Sequence, residues 1–152
     1  MKLRFLCAII LIGTWFPASM KAQEGYDEQL RQTYGADDYG MKSYTLVILK
    51  TGTAEVNDKA QRDSLFAGHM ANISKLVEQG DMVLAGPLGK NDHAYRGIFI
   101  LNTTDRDAAV EMLMQDTAIS SGLLDFELFS WYGSAALPTY IEVSKKITKI
   151  KI

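Results

Sequence analysis

The sequence predicts an α+β fold: a four-stranded antiparallel sheet carrying two helices, in the order β-α-β-β-α-β. Three observations carry this reading. Four short segments, YTLVILK, MVLA, YRGIFIL and DFELFSWY, are rich in β-branched, apolar and aromatic residues and are bounded by turn residues. Two longer segments between them repeat apolar residues at helical spacing. The chain has 152 residues, the length of a single domain. Two right-handed crossovers on such a sheet give a ferredoxin-like plait with both helices on one face.

Residues 1–22 stand apart from that fold. Lys2 and Arg4 precede the apolar run Phe5 to Phe16, and Pro17 ends it. A spanning helix needs ~20 apolar residues, so the run is too short to cross a membrane but suits the core of a signal peptide. Ala22 fits the position before a cut, which is expected between Ala22 and Gln23. An uncleaved membrane anchor is the alternative. Cleavage takes Cys7 with it, and Lys2, Arg4 and Lys21 as well, leaving 13 of the 16 basic residues against 18 acidic, a net charge of −5. The expectation is an exported protein of a bacterial periplasm, free of the membrane after cleavage and without thiol chemistry.

The remaining elements follow in order. Residues 23–43 form a polar, glycine-punctuated lead-in with one helical turn around Asp27–Thr33. Tyr44 to Lys50 is the first strand, nearly continuously apolar and so central. Asn57 or Asp58 caps a helix over Lys59–Gln79, with Gln61 placed as a capping-box partner, an apolar stripe through Leu65, Phe66, Met70, Ile73, Leu76 and Val77, and Gly80 as its stop. Met82 to Ala85 is a short strand closed by Gly86-Pro87, and Tyr95 to Leu101 is the next. Thr104 or Thr103 caps the second helix, whose buried stripe is Ala108, Ala109, Met112 and Leu113. Asp116 to Gly122 reads as a loop, and Asp125 to Tyr132 as the last strand. The domain is expected over residues 44–137. Residues 138–152 read as a weak terminal strand or a loose basic tail.

Composition excludes several functions. A formal net charge of −2 gives no field for nucleic acid. One cysteine and two histidines leave no disulfide framework, no cysteine zinc site and little for a metal centre. No nucleotide-binding, hydrolase or zinc-protease motif occurs, and no cofactor is expected.

The chemistry-bearing candidates are few. His69 lies on or beside the buried stripe of the first helix, after Gly68, with Arg62 two turns back on the same face. It reads either as a core histidine bonded to a carbonyl or as a functional imidazole. Asp116 follows the second helix, in a loop that can reach the same end of the sheet. A carboxylate bonded to an imidazole fixes its tautomer and raises its basicity, which makes a general base; a plain loop-initiating aspartate is the other reading. Gly86 and Pro87 punctuate a turn or let a ligand approach backbone closely. Tyr44, Tyr95, Trp131 and Tyr132 line a cavity or fill core. His93 sits in a polar turn.

From Tyr44 to Tyr132 the chain resembles the YciI-like (YCII-related) family. The resemblance is carried by YTLVILK, by Arg62 and His69, by LVEQGDMVLAGPLG, by YRGIFIL, by a helix ending in Asp116, and by FELFSWYG. Each motif is short; their order and spacing together are specific. The lead-in GADDYGMKSY is similar to that of exported members. The resemblance implies a dimeric α/β barrel, in which ferredoxin-like protomers pack sheet to sheet. It maps the family's proposed active-site pair onto His69 and Asp116. The family's Asp-Pro is Asp116-Thr117 here, a departure that keeps the carboxylate and changes the loop. Relatives on this fold include lactone isomerases, a dehydrochlorinase and cofactor-free monooxygenases.

Two functions compete. One is an enzyme in which His69, oriented by Asp116, moves a proton on a small molecule, with Arg62 holding an enolate or carboxylate oxygen. Gly86, Pro87, Tyr44 and Trp131 would line its substrate site. The other is a non-catalytic small-molecule binding or stress-related module using the same pocket. A heme-linked role is a third, with His69 as ligand and no second apolar histidine to support it. The apolar residues on both faces of the first and last strands call for a cover, and the expected partner is a second copy of the chain, as a homodimer or an assembly of dimers.

Overall fold

The computed structural model describes residues 24–150; the expected signal peptide and its cleavage bond lie outside the described residues. The central strand β1 (Met41–Thr51) pairs antiparallel with β3 (Tyr95–Leu101) on one side and β4 (Leu124–Ser134) on the other. The edge strand β2 (Met82–Pro87) pairs antiparallel with β3. The sheet order β2-β3-β1-β4 is that of the ferredoxin-like plait.

Register assigns the two faces. Val47 stands opposite Leu128 and Leu49 opposite Phe126. With Phe99 and Leu101 of β3 they meet Leu76, Ala109, Leu113, Ala118 and Ile119 from the helices, forming the main core. The alternate residues of β1 point the other way. Tyr44 stands opposite Trp131 and Leu46 opposite Phe129. Tyr44, Val83 and Ile100 form a smaller cluster on that open face, and Leu137 packs against it from beyond the end of β4.

Each helix is set by its ends. Helix α1 (Glu28–Tyr34) is capped by Asp27 and stopped by Gly35 in the left-handed conformation. Helix α2 (Lys59–Gln79) has the expected bounds, with the Asp58 carboxylate accepting from the N–H groups of Ala60 and Gln61. Its buried line is His69, Asn72 and Leu76; Phe66 lies on the flank of that line and stays 42% exposed. Helix α3 (Arg106–Met114) is capped by Asp105, not by Thr103 or Thr104. A carboxylate both accepts from the free N–H groups and complements the positive end of the helix. Thr103 instead accepts from the N–H of Asp105.

Three further expectations are corrected. The stretch after Asp116 is not only loop: Thr117–Ser120 form a one-turn helix, α4, capped by Asp116. The C-terminal piece is neither strand nor loose tail as far as Ile147. A 3-10 turn (Leu137–Thr139) leads into helix α5 (Tyr140–Ile147), and Pro138 suits such a start because a helix's first N–H groups need no partner. The first strand begins at Met41, inside the expected lead-in, because Asp37 accepts from the N–H of Met41 and turns the chain into the sheet.

Candidate functional site

The site is built where α2, α4 and β3 meet. Asp58 and Gly80 fix the ends of α2, and its packing on the core turns His69 inward to 9% exposure. Asp116 leaves α3 and caps α4: one carboxylate oxygen accepts from the N–H of Ala118 at 2.9 Å and of Ile119 at 3.4 Å. The other lies 2.5 Å from Nδ1 of His69. Asp116 is fully buried. Its two oxygens thus hold two different things, a helix end and an imidazole.

The ring is bracketed by aromatics. Phe99 lies at 5.9 Å between ring centroids, tilted by 30°, and Phe66 meets the ring edge-on at 6.1 Å. Among the described residues, Nε2 of His69 has no hydrogen-bond partner, and no fully buried side-chain nitrogen or oxygen lacks one. Nε2 therefore reaches accessible space. One nitrogen faces a buried carboxylate and the other borders accessible space. That arrangement can take up a proton at Nε2 while the carboxylate stabilises the charged ring.

The other candidates are placed as follows. Arg62, in the first turn of α2, donates from Nη1 to the carbonyl of Val56 at 3.0 Å and is exposed. Gly86 and Pro87 are the last residues of β2, paired with Ile98 and Gly97, and a Cβ on Gly86 would meet open space. Tyr44 and Trp131 belong to the open face of the sheet, with ring centroids 5.7 Å apart, so the sheet separates them from His69. The Tyr44 hydroxyl donates to the carbonyl of Ser134 at 2.9 Å, and burial pushes its pKa up. His93 is exposed and stacks on Tyr95.

Two cavities lie elsewhere. One of about 220 Å³ is lined by Tyr44, Thr45, Arg106 and Phe129 among others. A wider cleft of about 830 Å³ lies within the lead-in, along α1 and the turn that follows it, beside Tyr26, Tyr34 and Tyr39 and reaching Ala135 and Ala136. Neither is lined by His69 or Asp116. Sequence reasoning missed Thr117 and the capping role of Asp116. The signal for the second was present, since an aspartate opening a short polar segment is a cap pattern.

No protein-family model and no curated protein matches the chain. Among solved structures, it is similar to the 5-chloro-2-hydroxyhydroquinone dehydrochlorinase of Burkholderia phenoliruptrix, in complex with 2,5-dihydroxybenzoquinone. Identity is 18%, the TM-score is 0.40, and the match covers 57% of this chain and 92% of that one.

Proposed function

We propose that His69 and Asp116 are an acid–base pair acting on a small enolisable molecule, in isomerase- or lyase-type proton transfer. The observation that carries this reading is the asymmetry of the ring: Nδ1 lies 2.5 Å from a fully buried carboxylate while Nε2 is accessible. Asp116 holds the proton on Nδ1, so the lone pair of Nε2 faces outward as the base. Nε2 takes a proton from carbon. In an isomerisation it returns that proton to another atom of the same molecule; in an elimination the leaving group departs with the bonding pair. Phe66 and Phe99 offer apolar walls beside the ring. Arg62 would hold the developing oxyanion by exchanging its bond to the Val56 carbonyl.

The same reading includes a second copy of the chain over the open face of the sheet, and export directed by residues 1–22. A second functional reading is a binding module without turnover. It is favoured by one observation: neither cavity is lined by His69.

The experiment uses a panel of small lactones, keto acids and hydroxyquinones in deuterated water. Proton NMR follows exchange at carbons next to the carbonyl. Exchange that disappears in His69→Gln supports the enzyme. Binding with wild-type and variant alike, and no exchange in either, supports the module.

A further inference from the structure

The residue after Asp116 makes a contact with α2 that the His69–Asp116 bond does not require. Thr117 Oγ1 donates to the carbonyl of Leu65 at 2.9 Å. By helical geometry this is the carbonyl that also receives the backbone N–H of His69. Gly68 faces the same threonine. A Cβ on Gly68 would overlap Thr117 Oγ1 and come within 3.1 Å of its Cγ2 and 3.2 Å of its Cβ. The threonine is therefore seated on a helix position that has no side chain.

We propose that Thr117, seated on Gly68, is the positioning residue that sets the His69–Asp116 geometry; the proposal rests on the acid–base reading of that pair. The contacts close a ring. Leu65 joins His69 through one turn of α2, His69 joins Asp116 through Nδ1, Asp116 joins Thr117 through the chain, and Thr117 returns to Leu65. The Asp116 carboxylate is tied to the N–H groups of Ala118 and Ile119, so it moves with α4 as a unit. Whatever fixes α4 along α2 therefore fixes the carboxylate against the imidazole.

Two features do that fixing. The missing Cβ at Gly68 lets α4 come close, and the Thr117 hydroxyl sets where along α2 it stops. Thr117 is the first residue of α4, where the backbone N–H needs no partner within the helix. Many residues suit such a position, proline among them; threonine brings a side-chain donor that proline lacks. Thr117 is exposed, so water competes for the hydroxyl and the bond is of ordinary strength.

The test reads the ring itself. Imidazole nitrogen-15 shifts of His69 are measured in the intact protein at a pH where the ring is neutral. Wild type should carry its proton on Nδ1. Thr117→Val keeps the shape and removes the donor; the Nε2-protonated form should gain roughly two- to tenfold, the range for one ordinary hydrogen bond. Thr117→Ser should restore the wild-type spectrum. Gly68→Ala, with the hydroxyl intact, should show the same gain by pushing α4 away, and it stands in if the valine variant does not fold. Wild-type spectra in a folded Thr117→Val or Gly68→Ala protein overturn the proposal. Because no turnover is measured, failure of the enzyme reading and failure of the positioning role are separate results.

Discussion

The indole of Trp131 lies over Gly133, two residues further along the same face of β4, in space that a Cβ on Gly133 would occupy. The Trp131 and Tyr44 ring centroids are 5.7 Å apart, and the Lys42 ammonium sits 5.0 Å from the centre of the Tyr44 ring. Gly133→Ala should therefore displace the indole and cost about 1–3 kcal/mol, as overpacking does. In protein produced without residues 1–22, Trp131 is the only tryptophan, so its fluorescence reports the displacement directly. Denaturant melts of the two proteins give the cost, and an unchanged emission spectrum and midpoint would contradict it.

Asp116 does two jobs, and two substitutions separate them. Asparagine still caps a helix, so Asp116→Asn should keep α4 while removing the charge beside His69. Asp116→Ala removes both and should cost about 0.5–2 kcal/mol more, the worth of a cap. Amide exchange at Ala118 and Ile119 checks the division: protection should persist with Asn and fall with Ala. Equal loss in both variants would mean that the imidazole, not the cap, holds α4.

The bounds of α2 and β3 were legible in the sequence because Asp58, Gly80 and the apolar runs are local signals. His69 and Asp116 were legible as candidates and their pairing as one of two readings, which the resemblance then favoured. Thr117 was not, since its role depends on the missing side chain of Gly68, distant in sequence and adjacent in space. Helix α5 was hidden for a related reason. Its Val143 and Ile147 are exposed, so no burial pattern marked it against a basic tail. Tyr44 and Trp131 were grouped with the site because sequence alone does not say which face of a strand looks at a helix.

The lead-in should loosen in acid. Asp37 accepts from the Tyr132 hydroxyl and from the N–H groups of Tyr39 and Met41, and these bonds hold its pKa below the ordinary carboxylate value, the tyrosine most of all. A depressed pKa means stability that is present above the ordinary carboxylate range and is lost as pH falls through the folded value. The amide shifts of Tyr39 and Met41 should therefore titrate at a lower pH than a free aspartate, and Asp37→Asn should abolish that step. A midpoint at the ordinary carboxylate value would refute the anchoring role.

The open face of the sheet has the makings of an interface. Leu46, Ile48 and Ile98 are half-buried there, and Phe129, opposite Leu46, is 45% exposed. The face ends in charge, where Lys50 bridges Glu127 at 2.9 Å and Asp125 at 3.3 Å. An apolar centre with a charged end is the pattern of a surface that buries its middle and leaves its rim wet. If a second copy covers it, Phe129→Glu places a charge in the middle of the contact on both copies at once. Burying unpaired charge is costly, so the variant should be a monomer at micromolar concentration while wild type is a dimer by light scattering. Phe129 contributes little to the protomer's own core, so the variant should stay folded, which circular dichroism would verify. A wild-type protein of monomer mass, or a variant that remains dimeric, would exclude this face as the interface.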